Sequence, residues 1–220
     1  GAPDVLTYTD LPQPEIRQAT EMRVKLKAAG VNPIDTKLRG RGAFVPGAPW
    51  TVLGCDGAGI VETVGPGVRK FSPGDAVFFC SGGLGGDRGN YAEYAIVDEP
   101  DAVLKPDRIS FAEAAAAPLV LLTAWEALYD RARLTAQQRV LIHAGAGGVG
   151  HVAMQLAQLR EARIATTISS EEKARFATHF GADHCIYYNR IDFVEAVMTW
   201  TDGRGVDIAF DTVGGGVLSQ

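Results

Sequence analysis

The feature that most constrains this chain is a glycine-rich turn between two apolar segments, "VLIHAGAGGVGHVAMQLAQL", at residues 140–159. Four of the six residues from 145 to 150 are glycine, and Gly145, Gly147 and Gly150 match the pattern G-x-G-x-x-G. An apolar run of strand length precedes the turn. After the turn, apolar residues recur at helical spacing: Val149, Val152, Ala153, Leu156 and Ala157. The segment therefore predicts a strand, a tight turn and a helix, in that order.

This arrangement is typical of domains that bind a dinucleotide through its pyrophosphate. In that interpretation Gly145 allows the tight turn, Gly147 allows the backbone to approach the pyrophosphate, and Gly150 allows the helix to pack closely on the strand. The N-terminus of the helix adds free N–H groups and the positive end of its dipole. The alternative is a glycine-rich turn that binds no ligand. Because a turn alone would not require all three glycines, we interpret the stretch as a dinucleotide site.

Strands and helices alternate from residue 138 onward. The strand-like runs are "RVLIHA", "RIATTI", "HCIYY" and "VDIAFD", and a helical segment separates each from the next. Such alternation predicts βαβ units and a parallel sheet. Ser169 and Glu172 predict a capping box for the helix after the second run, and Gly181 predicts where that helix ends.

The end of the second strand indicates which dinucleotide is bound. An NAD site usually has an Asp or Glu there, which binds the ribose hydroxyls. Here Ile168 is followed by Ser169 and Ser170, and the nearest cation is Lys173 on the first turn of the next helix. A neutral strand end beside a lysine accepts the 2′-phosphate of NADP, which a carboxylate would repel. We therefore predict NADP (NADPH) as the cofactor, although Lys173 also fits an ordinary surface lysine.

The residues before Ser110 have the pattern of short β-strands. "EMRVKLKAAG" alternates apolar and polar residues, "GIVETVGPGVRKFSPGDAVFF" contains two strand-like runs joined by Pro-Gly turns, and "YAEYAIVDE" is another such run. Strands of this kind indicate a partly open barrel or a sandwich. Ser110 and Glu113 then predict a capping box at the start of a helix that Pro118 interrupts, and a second helix is predicted within residues 121–132. We therefore divide the chain into a β-rich domain, residues 1–118, and a parallel-sheet domain, residues 119–220.

Composition restricts the class of protein. A net charge of −5 opposes general nucleic-acid binding. No apolar run reaches membrane-spanning length, and the N-terminus lacks the pattern of a signal peptide. The three cysteines, Cys55, Cys80 and Cys185, are far apart and odd in number, which fits a reducing compartment and excludes a disulfide framework. We expect a cytoplasmic protein with no nucleic-acid or membrane partner.

Six motifs, in this order, resemble the medium-chain dehydrogenase/reductase superfamily and its zinc-independent quinone oxidoreductase (zeta-crystallin-like) branch: "AAGVNPIDTKLRG", "VLGCDGAGIVETVGPGV", "GNYAEYAIV", "APLVLLTAWEAL", "AGAGGVG" and "FDTVGG". The resemblance covers essentially the whole chain. It implies an α/β protein in which a GroES-like catalytic domain precedes a Rossmann domain, an active site in the cleft between them, and a homodimer. It also implies further residues, since the sequence stops after the fourth strand of a nominally six-stranded fold. We therefore expect residues 1–220 alone to fold poorly or to be inactive.

The resemblance also bears on zinc. The zinc-dependent branch binds its catalytic zinc with Cys, His and Cys. By alignment of the motifs, these ligand positions fall on Asn32, on Cys55 and near Leu119, whose side chain cannot bind metal. In residues 79–91, where a structural zinc lobe would lie, Cys80 is the one cysteine. We therefore expect no zinc. Without a Lewis acid, the remaining chemistry is hydride transfer from NADPH to a small-molecule acceptor that is already electrophilic, a quinone or an α,β-unsaturated carbonyl.

The resemblance assigns roles to individual residues. It places Asn32 beside the nicotinamide and the substrate, and Thr123 near the nicotinamide carboxamide, so these are the candidate catalytic residues. Asn32 also fits a turn residue before a proline, and Thr123 fits a helix-packing residue. The cofactor-binding candidates comprise the glycine turn and the positions around the 2′-phosphate and the adenosine: Gly145, Gly147, Gly148, Val149, Gly150, Ser169, Lys173 and Tyr188. The last of these also fits an exposed aromatic residue at the end of a strand.

The substrate stays open at this point. Several quinone reductases have a tyrosine at about the place of Phe44, so a hydroxyl that would contact nicotinamide or substrate is absent here. Two other functions remain: enoyl reduction on thioester substrates, since related domains serve in polyketide assembly, and cofactor binding with little turnover, as in crystallins of this branch.

Overall fold

The computed structural model describes residues 1–42, 50–84, 88–215 and 217. Phe44 therefore lies outside the described residues. Contacts between Cα atoms divide the chain into two compact units, Gly1–Leu119 and Val120–Gln220. The sequence-based boundary lies one residue earlier. Within the described ranges, no helix is both long enough and apolar enough to cross a bilayer.

The first unit is built on a five-stranded antiparallel sheet with the strand order β4-β1-β2-β3-β5. Met22 and Val24 on β1 are fully buried, as the apolar–polar alternation predicts. The pairing of β1 with β2 contains two register shifts, which bend the sheet. Because the described strands of this unit form one sheet, the sandwich alternative is wrong. The strands are β1 (Glu21–Ala29), β2 (Asp56–Val64), β3 (Ala76–Cys80), β4 (Tyr94–Asp98) and β5 (Ala102–Leu104).

Besides the sheet, the described residues of the first unit form two helices and two short 3₁₀ turns before Pro118. The helices are α1 (Pro33–Arg41) and α2 (Phe111–Ala116), and the turns are Pro3–Val5 and Glu99–Asp101. The predicted capping box begins α2: the Ser110 hydroxyl accepts the Glu113 N–H at 3.2 Å, and the Glu113 carboxylate accepts the Ser110 N–H at 2.8 Å.

Pro118 separates two helices, as predicted. It begins α3 (Pro118–Trp125), which runs into a π-helical segment, Glu126–Arg131. The Ala132 N–H donates to the Ala127 carbonyl at 3.0 Å, the i→i+5 bond of that geometry.

The second unit is a four-stranded parallel sheet with helices between its strands, which confirms the prediction from the alternating segments. The strands are β6 (Arg139–Ile142), β7 (Arg163–Ile168), β8 (His184–Tyr187) and β9 (Ile208–Phe210), and the helices are α4 (Gly148–Leu159), α5 (Glu171–His179) and α6 (Phe193–Trp200). The strand order is β8-β7-β6-β9. Counted from β6 as the first strand, this order is 3-2-1-4, which is that of a Rossmann fold.

The predicted apolar face of α4 packs into the core of the second unit. Val152, Ala153, Leu156 and Ala157 are buried there against residues of β6 and β7, and Val149 packs partly buried at the edge of the same cluster. Burial of these residues fixes α4 against β6 and β7. The N-terminus of α4 follows the turn that leaves β6.

The start of α5 differs from the prediction by one residue. Ser170, not Ser169, is the N-cap, and its hydroxyl accepts the Lys173 N–H at 3.3 Å. The capping box predicted from Ser169 and Glu172 is therefore wrong, because Ser169 still belongs to the chain that leaves β7. The predicted end of the helix is confirmed: Gly181 follows the C-cap with φ of +102°, a conformation that favours glycine.

Candidate functional site

The glycine turn of the second unit connects β6 to α4. The Gly147 N–H donates to the Ala144 carbonyl at 2.8 Å, which closes the turn, and Gly147 is the N-cap of α4. The Gly145 N–H lies 3.4 Å from the Thr167 carbonyl of β7, so the turn sits at the carboxyl edge of the sheet. In a Rossmann-like sheet this edge, at the N-terminus of the first helix, is where phosphates bind.

Packing within the unit requires some of these glycines and not others. A Cβ atom on Gly145 would collide with the Thr166 side chain, and one on Gly150 would collide with the Ala144 carbonyl oxygen. A Cβ on Gly147 would lie 3.1 Å from that same carbonyl oxygen, a contact that a small shift relieves. Among the described residues, a Cβ on Gly148 would meet only the Val120 side chain, at an ordinary 3.5 Å. The protein's own packing therefore explains Gly145 and Gly150, but it does not explain Gly148.

The end of β7 carries hydroxyls and a lysine. Ile168 is 2% exposed and offers no polar group. Immediately after it, the Ser169 hydroxyl accepts a hydrogen bond from Lys173 Nζ at 3.1 Å, and Ser170 caps α5. Lys173 is exposed, so its ammonium group faces solvent beside the strand end. This pair provides a cation and hydroxyl donors where NAD-binding domains usually place a carboxylate.

Two carboxylates, Glu171 and Glu172, lie in the first turn of α5, and Glu171 is already engaged. Glu171 accepts the Tyr187 hydroxyl at 2.6 Å and the Arg190 guanidinium at 3.3 Å. These bonds, that of Tyr187 foremost, lower the pKa of the Glu171 carboxyl below its usual value. The Arg190 guanidinium also stacks over the Tyr187 ring, 4.4 Å from its centroid. The sequence reading overlooked Arg190, whose position two residues after Tyr188 was the available signal.

The segment after β8 lies against the end of β7. The Tyr188 N–H donates to the Ile168 carbonyl at 3.3 Å, and Asn189 Nδ2 donates to the Ser169 carbonyl at 3.2 Å. Tyr188 is 58% exposed. The structure thus places Ser169, Lys173 and Tyr188 at the carboxyl edge of the sheet: Ser169 follows β7, Lys173 lies in the first turn of α5, and Tyr188 follows β8. Their role in cofactor binding stays a prediction.

In the first unit, Asn32 is a buried residue at the start of α1. It is 6% exposed, it is the N-cap of the helix, and Pro33 follows it in the first helical position, which proline favours. The Asn32 backbone N–H donates to the Asp35 carboxylate at 2.7 Å. Its side-chain Nδ2 donates to Asp56 Oδ2 at 2.8 Å. Two carboxylates therefore hold Asn32: Asp35 binds its backbone N–H, and Asp56 binds its side chain.

Asp56 is a fully buried carboxylate at the start of β2. Besides the bond from Asn32, its Oδ1 accepts the Leu119 backbone N–H at 3.0 Å, and the Cys80 thiol also bonds to it. Burial raises the pKa of Asp56, and the negative charge of Asp35 adds to that rise, while the three hydrogen bonds oppose it.

Asp35 joins a phenol and a thiol to this group. It accepts the Tyr91 hydroxyl at 2.9 Å, and Cys55 Sγ lies 4.0 Å from its other oxygen. Burial raises the pKa of the Cys55 thiol to about 11 and that of Cys80 to about 12. Burial and the bond to Asp35 also raise the pKa of Tyr91. At neutral pH the two thiols are protonated and unreactive.

The positions aligned with the zinc ligands of the zinc-dependent branch do not form a zinc donor set. The three positions aligned with zinc ligands hold the Asn32 carboxamide, the protonated Cys55 thiol, and Leu119, whose N–H donates to Asp56. Zinc sites need thiolate, imidazole or carboxylate ligands in tetrahedral reach. No cluster of three or more such side chains is placed to hold a metal in the part of the chain that the structure describes. Whether the protein contains zinc stays a prediction.

The two candidate catalytic residues belong to different units. Asn32 lies in the first unit, and Thr123 lies exposed on α3 in the second. Sequence reasoning missed Asp35, Asp56 and Tyr91, although they stand within the quoted motifs "AAGVNPIDTKLRG", "VLGCDGAGIVETVGPGV" and "GNYAEYAIV", respectively. Their proximity to Asn32 depends on contacts between residues far apart in the sequence.

Comparisons with known proteins agree with this architecture. The family model "Alcohol dehydrogenase GroES-like domain" matches residues 18–107, and the family model "Zinc-binding dehydrogenase" matches residues 148–220. A quinone oxidoreductase of Pseudomonas aeruginosa is 39% identical over 214 residues, which are 97% of this chain and 64% of that protein. The chain therefore spans about two thirds of the length of this relative.

Two further comparisons bear on chemistry. The crystal structure of Escherichia coli quinone oxidoreductase complexed with NADPH aligns with a TM-score of 0.85 at 33% identity, over 100% of this chain and 65% of that one. A phenolphthiocerol synthesis polyketide synthase of Mycobacterium bovis is 39% identical over 208 residues, which are 93% of this chain and 9% of the synthase. Fold, motif order and relatives agree. The chain belongs to the medium-chain dehydrogenase/reductase superfamily, in its quinone oxidoreductase branch, with a GroES-like unit followed by a Rossmann-like unit.

Proposed function

We propose that the protein is an NADPH-dependent oxidoreductase that reduces a quinone or an α,β-unsaturated carbonyl without a metal. The observation that carries this proposal is the end of β7, where Lys173 Nζ donates to the Ser169 hydroxyl and Ile168 stands in place of a carboxylate. This end can accept a 2′-phosphate and offers no carboxylate to the two ribose hydroxyls of NADH. The NADPH complex of the E. coli relative supports the same choice.

The glycine turn supplies the second part of the cofactor site. The first N–H groups of α4 have no partner within the helix and point out of its N-terminus, where a pyrophosphate binds. Gly147 and Gly148 have no side chain that would cover the backbone at this point. Packing within the unit does not require glycine at position 148. Close approach of a ligand gives a reason for that bare backbone.

The chemistry follows from the residues that remain. When bound, NADPH supplies a hydride, and reduction of a quinone to a quinol also takes up one proton. An acceptor that is already electrophilic needs orientation more than Lewis-acid activation. We assign that orientation to Asn32, whose carboxamide is fixed by Asp56, and we assign contact with the nicotinamide carboxamide to Thr123. The three positions aligned with zinc ligands, Asn32, Cys55 and Leu119, offer at most one zinc donor, which favours this metal-free reaction.

The test uses the full-length protein with NADPH and three acceptors: a naphthoquinone, an enone and an enoyl thioester. A simple alcohol is assayed separately as a hydride donor to NADP⁺. Oxidation of NADPH is followed by its absorbance. The proposal predicts turnover of the quinone or the enone and no oxidation of the alcohol. Oxidation of the alcohol, lost with a chelator, would contradict it.

A second candidate function is enoyl-thioester reduction. It is favoured by the polyketide synthase relative, which matches 93% of this chain at 39% identity. Turnover of the enoyl thioester with little turnover of the quinone would decide for it. Tight NADPH binding with no turnover of any acceptor would instead indicate a cofactor-binding protein.

A further inference from the structure

Asp56 has no part in the cofactor site proposed above, yet its side chain is extensively hydrogen-bonded inside the first unit. Its carboxylate is fully buried and takes hydrogen bonds from three separate segments: the Asn32 side chain before α1, the Cys80 thiol at the end of β3, and the Leu119 N–H in α3. Burying a carboxylate is unfavourable unless such bonds are made. The question is what the buried carboxylate does for its neighbours.

The bond to Asn32 fixes which way the carboxamide faces. An ionised carboxylate only accepts hydrogen bonds, whereas a carboxamide has an accepting oxygen and a donating nitrogen. The Asn32 atom that lies 2.8 Å from Asp56 Oδ2 is therefore Nδ2, and the oxygen is turned the other way. Because Asp35 holds the Asn32 backbone N–H at 2.7 Å, neither end of the residue is left to rotate.

The Leu119 N–H determines how a side chain at position 56 must be oriented. It donates to Oδ1, while Asn32 donates to Oδ2, so both oxygens face donors. Any group placed at position 56 must therefore accept from Leu119 on one side. The second polar atom of that group then determines whether Asn32 turns its Nδ2 or its Oδ1 toward position 56. The charged and titratable groups around Asp56 are Asp35, Cys55 and Cys80, and burial keeps both thiols protonated.

We propose that Asp56 is a positioning residue for the reaction: it acts through Asn32, holding the Asn32 carboxamide in the one orientation that the reaction uses. This inference rests on the proposed function, in which Asn32 orients the acceptor and the nicotinamide. Asp56 does not itself touch either of them.

The test is Asp56→Asn in the full-length protein. The new carboxamide accepts from Leu119 with its oxygen, so its amino group meets the amino group of Asn32. The Asn32 side chain must turn over or withdraw. We expect kcat with the quinone to fall about ten- to a hundredfold, the loss typical of one hydrogen bond to a charged group, while the Kd for NADPH stays within about twofold. Cys80→Ala is the matched control: it removes another donor to the same carboxylate without touching Asn32, and kcat should stay within about threefold.

A double-mutant cycle separates positioning from general support of the fold. In an Asn32→Ala background, Asp56→Asn should change kcat by less than about threefold, because the residue through which Asp56 acts is gone. Equal losses in both backgrounds, or an unchanged kcat in the single variant, would overturn the inference while leaving the proposed function in place. A parent protein that reduces no acceptor would overturn both. If Asp56→Asn does not accumulate as folded protein, Asp56→Ser is carried through the same cycle, since its hydroxyl still accepts a hydrogen bond but is too short to hold Asn32.

Discussion

Replacing Gly148 by alanine tests whether the turn lacks a side chain at this position so that a ligand can approach, or only so that the turn itself can pack. Of the residues that the structure describes, the added Cβ would meet only the Val120 side chain, at 3.5 Å, which is ordinary van der Waals contact. Gly148 is the first residue of α4, where alanine is the better helix former by up to about 1 kcal/mol. The thermal midpoint of unfolding should therefore stay the same or rise slightly.

Cofactor affinity should change in the opposite direction. A methyl group pushed into a close-packed contact costs about 1–3 kcal/mol, so the Kd for NADPH should rise roughly five- to a hundredfold. Isothermal titration on the full-length protein measures this, and NADH should lose as much, because both cofactors share the pyrophosphate.

The control is Gly150→Ala, two residues further along the same helix. Its Cβ would collide with the Ala144 backbone carbonyl, so this variant should be destabilised by about 1–3 kcal/mol in chemical denaturation. A Gly148→Ala protein that binds NADPH within twofold of the parent would refute the reasoning, since the bare backbone would then serve no ligand.

Three further predictions concern the cofactor and the metal. Lys173→Ala should lower NADPH affinity about tenfold and leave NADH affinity unchanged; the loss should be somewhat smaller at high salt because this lysine is exposed. Arg175→Ala, which removes the same charge from the same helix, is the control. Equal losses for both cofactors would show that Lys173 only supports the helix. Ser169→Asp, which leaves the buried Ile168 in the core, should reverse the order of kcat/KM for the two cofactors, because the carboxylate binds the ribose hydroxyls and repels the phosphate; an unchanged order would mean that the end of β7 does not contact the ribose. Elemental analysis should find no stoichiometric zinc, and about one tightly held zinc per chain, lost together with activity, would contradict the account of Asn32 and Leu119.

The parts of the fold that sequence predicted are those set by local patterns. The apolar face of α4, the capping box of Ser110 and Glu113, and the end of α5 at Gly181 each depend on residues within a few positions of one another. The start of α5 shows the limit of such patterns. Ser169 and Ser170 both suit an N-cap, and the choice between them depends on how far β7 extends before the chain turns.

The polar group around Asn32 was beyond reach of the sequence for a different reason. Its members come from the N-terminal end of α1, from the start of β2, from the end of β3, from the segment before β4 and from the start of α3, and only the fold brings them together. Alignment with the zinc branch identified the positions of Asn32 and Leu119, but not that both donate to Asp56. A buried acidic residue in a strand gives no local signal of its partners, which is why its role emerged only from the hydrogen bonds.

The measurement that tests the central claim most directly is the ratio of the dissociation constants for NADH and NADPH, obtained by titration of the full-length protein at physiological salt. The claim is that the end of β7, with its Ser169–Lys173 pair and no carboxylate, selects the phosphorylated cofactor. The account predicts that NADPH binds at least about tenfold more tightly, the equivalent of one charge-assisted contact. Equal binding, or tighter binding of NADH, would contradict it.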